Sequence, residues 1–498
     1  MAKILLPTSD RRNAAAIEGY IDCERVVRDN DRRIRSDYSL SEFRKVSSVL
    51  WSSPVSIVDK AIYDGRLLPK HGPGATADRL RGNAKFGLQK WSQRLEEYFP
   101  SGEYLLPNWR YYSQLDHVEL LKPGAELPVR VILVPKTLKT PRIIAIEPTA
   151  MQYSQQAVAI ALVRELERDN LLSSFIGFRD QSFNQDMARE GSLTGALATL
   201  DLSDASDRVS NQLVREMTAQ WPWFAGAIQA CRSRSADVPG HGVIRLAKFA
   251  SMGSALCFPI EAMVFLTIIF GRIAKELKQP ISRKLLNSFR GKVRVYGDDI
   301  VVPVEYARSV SEELESFGMK VNLNKSFWTG KFRESCGKEY YDGVDVSIVR
   351  FRRVLPTSRK DAQELISLVE SRNLFFLRGL WRTAAAMDKI IEKIIPFPCV
   401  GENSPTLGRR TFLPLSGEKM DPNLQIPLVR GAVVRARVPV NPARDMSALL
   451  KCLLMLEHRS FGDGWRALFT LPGEDSEHLE RSGRPRSVDI KIGWTPVL

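Results

Sequence analysis

Histidine and cysteine are scarce in this chain of 498 residues, which has five of the first and six of the second. The cysteines (Cys23, Cys231, Cys257, Cys336, Cys399 and Cys452) are scattered, with no C-x-x-C pair and no histidine at zinc-ligand spacing beside them. That argues against a structural zinc site or a disulfide framework and predicts reduced thiols. Long apolar runs are also missing. The longest, Ala255 to Phe270, is interrupted by Pro259 and Glu261 and falls short of the roughly 20 residues a bilayer crossing needs, so a buried helix is expected there. The opening MAKILLPTSDRRN brings charge at Arg11 and Arg12 before any apolar region develops, so neither a signal peptide nor secretion is expected. No internal repeat, low-complexity tract or clear linker interrupts the chain, and its parts are expected to pack as one multi-lobed body.

What is present is a globular composition, 44% hydrophobic and 26% charged, long enough for a large core and several subdomains. Lys and Arg outnumber Asp and Glu by 72 to 57, a net charge of +15. Such a charge concentrates polyanions around the protein, and nucleic acid is the first partner to consider. A basic chain can also be merely soluble, or drawn to an anionic membrane, so charge narrows the partner without naming an activity.

The first hundred residues mix short helical patterns with basic clusters, ended by Lys70-His71-Gly72-Pro73-Gly74, a loop that cannot continue a helix. Arg79, Arg81 and Lys85 follow it; His71 has no identifiable partner and reads as a structural loop residue. LPVRVILVPKTLKTPRIIAI (127–146) predicts two β-rich runs joined by a basic connector with two prolines. Helical periodicity covers 151–168, a strand is expected over 196–202, and a helix over 209–220. Residues 293–304 read as two short strands hinged at Gly297-Asp298, 358–393 as helical, and the chain beyond Pro396 as rich in Pro, Gly and Arg.

In KVRVYGDDIVVPV, β-branched runs flank Tyr296-Gly297-Asp298-Asp299. This suits a hairpin with its tip at Gly297, a residue that tolerates positive φ. Alone, the string reads better as an ordinary Gly-Asp turn, for which Gly and Asp are favoured on purely local grounds. A second acidic cluster, ATLDLSDASDRVS, changes the balance, because a strand ending near Asp201 there presents another carboxylate just before a helix. Phosphoryl transfer by two metals needs hard oxygen ligands that hold two Mg²⁺ ions about 3.5–4 Å apart. Asp201, Asp298 and Asp299 could supply them. The competing reading of Asp201, and of Asp204 and Asp207, is a helix N-cap or a first-turn charge.

Six segments, in order and spacing, resemble the replicase subunit of the single-stranded RNA bacteriophages. They are VPKTLKTPRIIAIEP (134–148), DQSFNQDMAREGS (180–192), DLSDASDRVS (201–210), SMGSALCFPIE (251–261), YGDD (296–299) and FRESCGKEYYDGVDVS (332–347). Together they cover about 130 to 355. The resemblance implies an RNA-directed RNA polymerase of the α+β class, a right hand of fingers, palm and thumb with a small antiparallel palm sheet backed by helices. It implies an N-terminal region and fingers over 1–190, including the basic loop 134–148, a palm over 191–350, and a thumb and C-terminal region over 351–498.

The same resemblance places Asp201, Asp298 and Asp299 as metal ligands for two Mg²⁺ ions, with Mn²⁺ as a substitute, Asp201 and Asp298 being the principal ones. It sets Lys136, Lys139 and Arg142 against the phosphates of the incoming nucleotide, and three cations within seven residues of a β-rich loop suit an anion site. Asp207 takes the position that senses the ribose. Ser251 and Gly253 fall where a small-residue turn lets backbone approach template and primer. This chain departs from the family's pattern at Ser254 and Cys257, where an amide and a hydroxyl residue are common. Lys325, in VNLNKSF, stands where polymerases often place a cation able to protonate the leaving pyrophosphate, with a surface lysine as the even alternative. RNA template and product, ribonucleoside triphosphates, host elongation factors Tu and Ts, a small-subunit ribosomal protein and the cytoplasm of a bacterial host are further implications.

Two rivals remain on the sequence. A reverse transcriptase, or a polymerase of the related fungal capsidless viruses, is the nearer; Gly297 between the tyrosine and the two aspartates argues against the former. A non-catalytic RNA-binding protein that kept only a basic channel is the other, and it would be expected to have lost a metal carboxylate.

Overall fold

The computed structural model describes residues 8–34, 39–87, 90–135, 140–438, 440–441, 445–462 and 487–498. It begins with two helices, α1 (Asp10–Ile34) and α2 (Ser39–Tyr63), each of 25 residues. They are longer than the short helical patterns expected. In α2 the residues Phe43, Val46, Leu50, Trp51, Val55, Val58 and Ile62 are all buried, a stripe at helical spacing. Burying it offsets the roughly 3 kcal/mol that an internal proline, here Pro54, costs a helix.

Strands β1 (Val129–Val134) and β2 (Arg142–Ile146) form the expected antiparallel pair, with Val134 opposite Arg142. Most of their connector, 136–139, lies outside the described residues. α3 (Thr149–Arg168) follows, then α4 (Ser182–Thr194), which ends on Gly195 in the left-handed conformation. β3 (Leu197–Asp201) is buried along its length until Asp201, its last residue. The chain then makes a single helical turn, α5 (Ala205–Arg208), and enters α6 (Asn211–Thr218). β4 (Ser235–Val238) and β5 (Gly242–Arg245) complete a four-stranded sheet in the order β2-β1-β4-β5.

α7 (Cys257–Glu276) is the apolar helix expected to be buried, and 83% of its most apolar window is inside the fold. Its length corrects the sequence reading, since it has 20 residues and would be long and apolar enough to cross a membrane. Pro259 does not break it because it stands in the first turn, where a missing N–H removes no intrahelical bond.

β6 (Arg294–Tyr296) and β7 (Asp299–Pro303) pair around a two-residue tip, and β7 lies between β3 and β6 in a three-stranded antiparallel sheet. α8 (Val304–Ser316) follows. A meander of β8 (Phe332–Ser335), β9 (Lys338–Tyr341) and β10 (Val344–Asp345) comes next. One continuous core runs from Ile34 to Val321 and includes α2, α3, α7 and the three-stranded sheet. The N-terminal helices are therefore part of the body that supports the carboxylates.

The helical region expected over 358–393 is two helices, α9 (Ala362–Leu377) and α10 (Trp381–Ile391). With Phe397, Leu407 and Ala432 they form a second core. Beyond Pro396, β11 (Pro427–Arg437) and β12 (Ser487–Pro496) pair antiparallel along ten residues, from Leu428 opposite Pro496 to Arg437 opposite Ser487. The Pro, Gly and Arg content concealed this ladder, because its strands are separated by some 50 residues and β11 carries the exposed Arg430, Arg435 and Arg437.

Candidate active site

Two adjacent strands bring the acidic residues together. Asp201 ends β3 and is the register partner of Asp299, which begins β7. Gly297 and Asp298 form the tip between Tyr296 and Asp299. Gly297 has φ +60°, and a Cβ on it would lie 2.3 Å from a ring carbon of Phe258. Glycine is therefore required both by backbone conformation and by the close approach of α7. Phe258 in turn meets the Tyr296 ring edge-on, with centroids 5.3 Å apart, fixing the hairpin against the helix.

A loop on the other side of β3 completes the frame. Thr199 and Leu202 bridge Phe327 and Val321, so residues 321–327 run beside β3. From this loop Asn322 Nδ2 donates to Asp201 Oδ2 at 2.8 Å, and Lys325 Nζ stands 3.4 Å from Asp201 Oδ1. Burial works against the charge on Lys325, but Asp201, Glu334 and Asp298 outweigh it and raise the ammonium's pKa. Asp299 Oδ1 accepts from the Cys336 N–H at 3.0 Å and from Ser335 Oγ at 3.3 Å. Cys336 has φ +48°, which turns its N–H toward that carboxylate.

These carboxylates are crowded. Burial pushes the pKa of Asp299 up to about 6, and the charges of Asp298 and Asp201 push in the same direction against the Cys336 hydrogen bond. Glu261 of α7 is pushed up to about 8, by burial first and then by Asp298 and Asp207, against a hydrogen bond from Ser206. Among the described residues, no three Asp, Glu, His or Cys side chains are gathered into a ready metal cage. The expected ligand set is therefore not preassembled, for a physical reason: Asp201 and Asp299 are each held by their own donors. The set still suits a hard divalent cation, being carboxylate oxygens whose mutual repulsion such a cation would relieve.

The substrate-facing positions are also placed. Arg142 is exposed at the start of β2, while Lys136 and Lys139 lie outside the described residues. Asp207 belongs to α5, and its Oδ1 accepts from Lys248 Nζ at 2.9 Å. It does not cap the next helix, whose N-cap is Ser210, accepting from the Leu213 N–H. Asp204 stands before α5 with φ +52° and makes no side-chain cap either. The cap half of the alternative reading is thus corrected, while Asp207 does stand as an acidic residue in the first turn of α5. Ser251 is buried, with Oγ 3.0 Å from the Tyr20 hydroxyl. Gly253 has φ +133°, and a Cβ there would lie 2.0 Å from the Ala145 carbonyl oxygen. The loop thus presses directly on β2. Ser254, one of the two departures from the family pattern, donates to Gln155 Oε1 at 3.0 Å, and Cys257, the other, is buried beside Glu261. His71 stacks on Tyr153 at 4.1 Å, and burial lowers its pKa to about 3, which fits the structural loop role expected of it.

Sequence reasoning missed the supports: Asn322, Ser335 and Cys336, Glu261, and the buried Lys248 with Tyr20 and Glu24. Asn322 lay three residues from a residue already singled out. Ser335, Cys336 and Glu261 lay inside segments already quoted and Lys248 three residues before Ser251, but no local pattern showed their contacts, and Tyr20 and Glu24 come from the far N-terminal helix.

Residues 126–371 match the model of the family described as RNA replicase, beta-chain. The resemblance read from the six segments is borne out over that stretch. Among curated relatives, the RNA-directed RNA polymerase subunit beta of Escherichia virus Qbeta is 35% identical over 268 residues, covering 52% of this chain and 43% of that protein. The RNA-directed RNA polymerase beta chain of Escherichia phage MS2 is 38% identical over 216 residues, covering 43% of this chain and 36% of its own length. The chain thus matches about two-fifths of the length of these relatives or less. A solved RNA-dependent RNA polymerase of a human picorbirnavirus aligns with 49% of this chain and 53% of its own, at 12% identity and a TM-score of 0.36, a likeness too loose to carry a conclusion.

Proposed function

We propose that this chain copies RNA from an RNA template by nucleotidyl transfer, as a phage replicase subunit. The observation that carries the reading is the register of β3 and β7, which sets Asp201 opposite Asp299 with Asp298 at the adjoining tip. On this reading the three-stranded sheet is the palm, the N-terminal region with the β1–β2 hairpin supplies the fingers, and the region after 350 is the thumb. The RNA 3′-hydroxyl gives its proton to solvent as its oxygen bonds to the α-phosphorus of a ribonucleoside triphosphate, the α–β anhydride breaks, and pyrophosphate leaves with the bonding electron pair. Asp201, Asp298 and Asp299 would hold two Mg²⁺ ions, which lower the pKa of the attacking hydroxyl and steady the leaving phosphate. Mn²⁺ is proposed as a substitute.

Arg142, with Lys136 and Lys139, holds the triphosphate; Asp207 reads the ribose; the Ser251–Gly253 turn supports template and primer. Lys325, 3.4 Å from Asp201 Oδ1, is proposed as the cation beside the carboxylates that can protonate the leaving pyrophosphate. Host factors Tu and Ts, a small-subunit ribosomal protein and action in the bacterial cytoplasm belong to the same proposal. The rival of a non-catalytic RNA-binding protein is disfavoured by the retention of all three carboxylates in one place.

The test is extension of a primed RNA template with four ribonucleotides and Mg²⁺. Wild type is expected to extend it. Asp298→Asn is expected to abolish extension while RNA affinity stays within about twofold, since one hard anionic ligand is lost and the basic surface is not. Wild-type rates in the variant at saturating Mg²⁺ would remove Asp298 from the chemistry.

A further inference from the structure

Lys248 is fully buried, with a side-chain exposure of 0%, and it lies between two carboxylates from distant parts of the chain. Its Nζ is 2.9 Å from Asp207 Oδ1 on α5 and 3.4 Å from Glu24 Oε1 on α1. It also sits over the Tyr20 ring, 3.4 Å from the centroid. The Tyr20 hydroxyl is 3.0 Å from Ser251 Oγ. The other Glu24 oxygen, Oε2, accepts from the Ala247 N–H at 2.6 Å. The backbone closes the cluster, with Ser210 bridging Lys248, and Val209 O accepting from the Phe249 N–H at 2.8 Å. Helix α1 thus reaches both Asp207 and Ser251, two positions assigned above to the substrate, through a single buried cation and one aromatic ring.

Burial of an ammonium at this depth is costly unless it is paired. The pairing has a geometric consequence. Asp207 is one-fifth exposed, and Lys248 binds one of its two oxygens from below. An aspartate held at Oδ1 cannot rotate freely, and no hydrogen bond to its Oδ2 is made among the described residues.

We propose that Lys248, seated on Tyr20 and Glu24, is a positioning residue for sugar selection: it fixes the Asp207 carboxylate so that one oxygen is aimed at a ribose hydroxyl. The proposal rests on the polymerase reading above. It makes α1, outside the matched stretch 126–371, part of the specificity apparatus. Lys248 touches no substrate. A looser Asp207 still accepts hydrogen bonds but discriminates less, because selectivity depends on an acceptor that is left unpaired when the hydroxyl is absent.

The experiment measures kcat/KM for ATP and for dATP on a primed RNA template with the full-length chain, together with the melting temperature. Lys248→Met keeps the length of the side chain and removes its charge. It is expected to lower the ATP/dATP ratio about tenfold, through dATP as much as through ATP. In an Asp207→Asn background the same change should leave the ratio where Asp207→Asn alone puts it, since both act through one contact. Glu24→Gln keeps the shape of the side chain and an acceptor for the Ala247 N–H but removes the charge that seats Lys248. It is expected to lower the ratio about threefold, so it decides the matter if Lys248→Met fails to fold. A folded Lys248→Met with the wild-type ratio would overturn the proposal, as would an unchanged ratio in a folded Glu24→Gln where Lys248→Met cannot be obtained. A wild type that extends no primed RNA is a different result, which refutes the polymerase reading itself.

Discussion

Replacing Asp299 by asparagine keeps the shape of the side chain and its Oδ1 acceptor for the Cys336 N–H, but removes a charge from a crowded place. The folded protein holds the Asp299 proton to about pH 6, against an ordinary value of 3.8. A carboxyl group with a raised folded pKa binds its proton more tightly when folded than when unfolded. Its contribution is therefore fully present below about pH 3.8 and is lost as pH rises through about 6. A gap of about two pH units is worth about 3 kcal/mol, and solvent reaching the partly open site reduces it to about 1–2 kcal/mol. In metal-free buffer Asp299→Asn should thus melt a few degrees above wild type at pH 7.5, with the difference shrinking to nothing near pH 4. Mg²⁺ should reverse the order. A ligand that binds only the folded state stabilises it in proportion to the logarithm of its concentration over Kd, and the wild type, with its full charge, should gain more. Extension of primed RNA should fall in the variant. Thermal melts with chelator and with a Mg²⁺ series, at several pH values, test all of this. A variant no more stable than wild type at pH 7.5 in chelator, with the same response to Mg²⁺, would refute the view of Asp299 as a charge held under strain for a cation.

Arg142→Ala should raise the KM for nucleotides at least tenfold while template affinity changes little, because the lost contact is to the substrate's phosphates; steady-state kinetics alongside RNA binding checks it, and loss confined to template binding would move Arg142 onto the template. Asp207→Ala should lower the ATP/dATP ratio of kcat/KM by about tenfold or more, the equivalent of losing a contact worth roughly 1–3 kcal/mol; activity lost only in proportion to folded protein, at a constant ratio, would leave Asp207 a structural partner of Lys248. Lys325→Gln should slow extension at least tenfold and about equally across pH 6 to 9, because an ammonium with a raised pKa stays protonated over that whole range; a wild-type rate in the variant would leave Lys325 a surface lysine.

The parts of this fold legible in the sequence are those in which a local string carries both shape and chemistry. YGDD between β-branched runs yields the hairpin, and Asp201 ends the strand expected to present it. The helix at 151–168 and the strand at 196–202 are displaced from their observed limits by two residues at most. The helix expected over 209–220 is shorter, Asn211–Thr218, because Ser210 caps it and the preceding residues form a separate turn. The β11–β12 ladder stayed hidden for the opposite reason. Its pairing is set by residues fifty or more positions apart, and neither strand alone shows a clean alternation.

The supports of the site were illegible for a reason that bears on its chemistry. Asp201 and Asp299 can be recognised because each lies at the end of a strand, yet what fixes them is not adjacent in sequence: Asn322 for the first, and Ser335 and Cys336 for the second. Tyr20 and Ser251 are 231 positions apart, and no periodicity in either neighbourhood points to the other. A buried lysine is also indistinguishable in sequence from a solvated one. In the string RLAKFASMG, Lys248 reads as one more unit of the +15 charge, when it is in fact the most deeply enclosed cation near the site. The surplus positive charge of the chain thus has two physically different parts. One, including Arg142, is exposed and free to meet an anion. The other, of which Lys248 is the example, is already spent inside the fold on holding acidic residues in position, and screening by salt will weaken the first far more than the second.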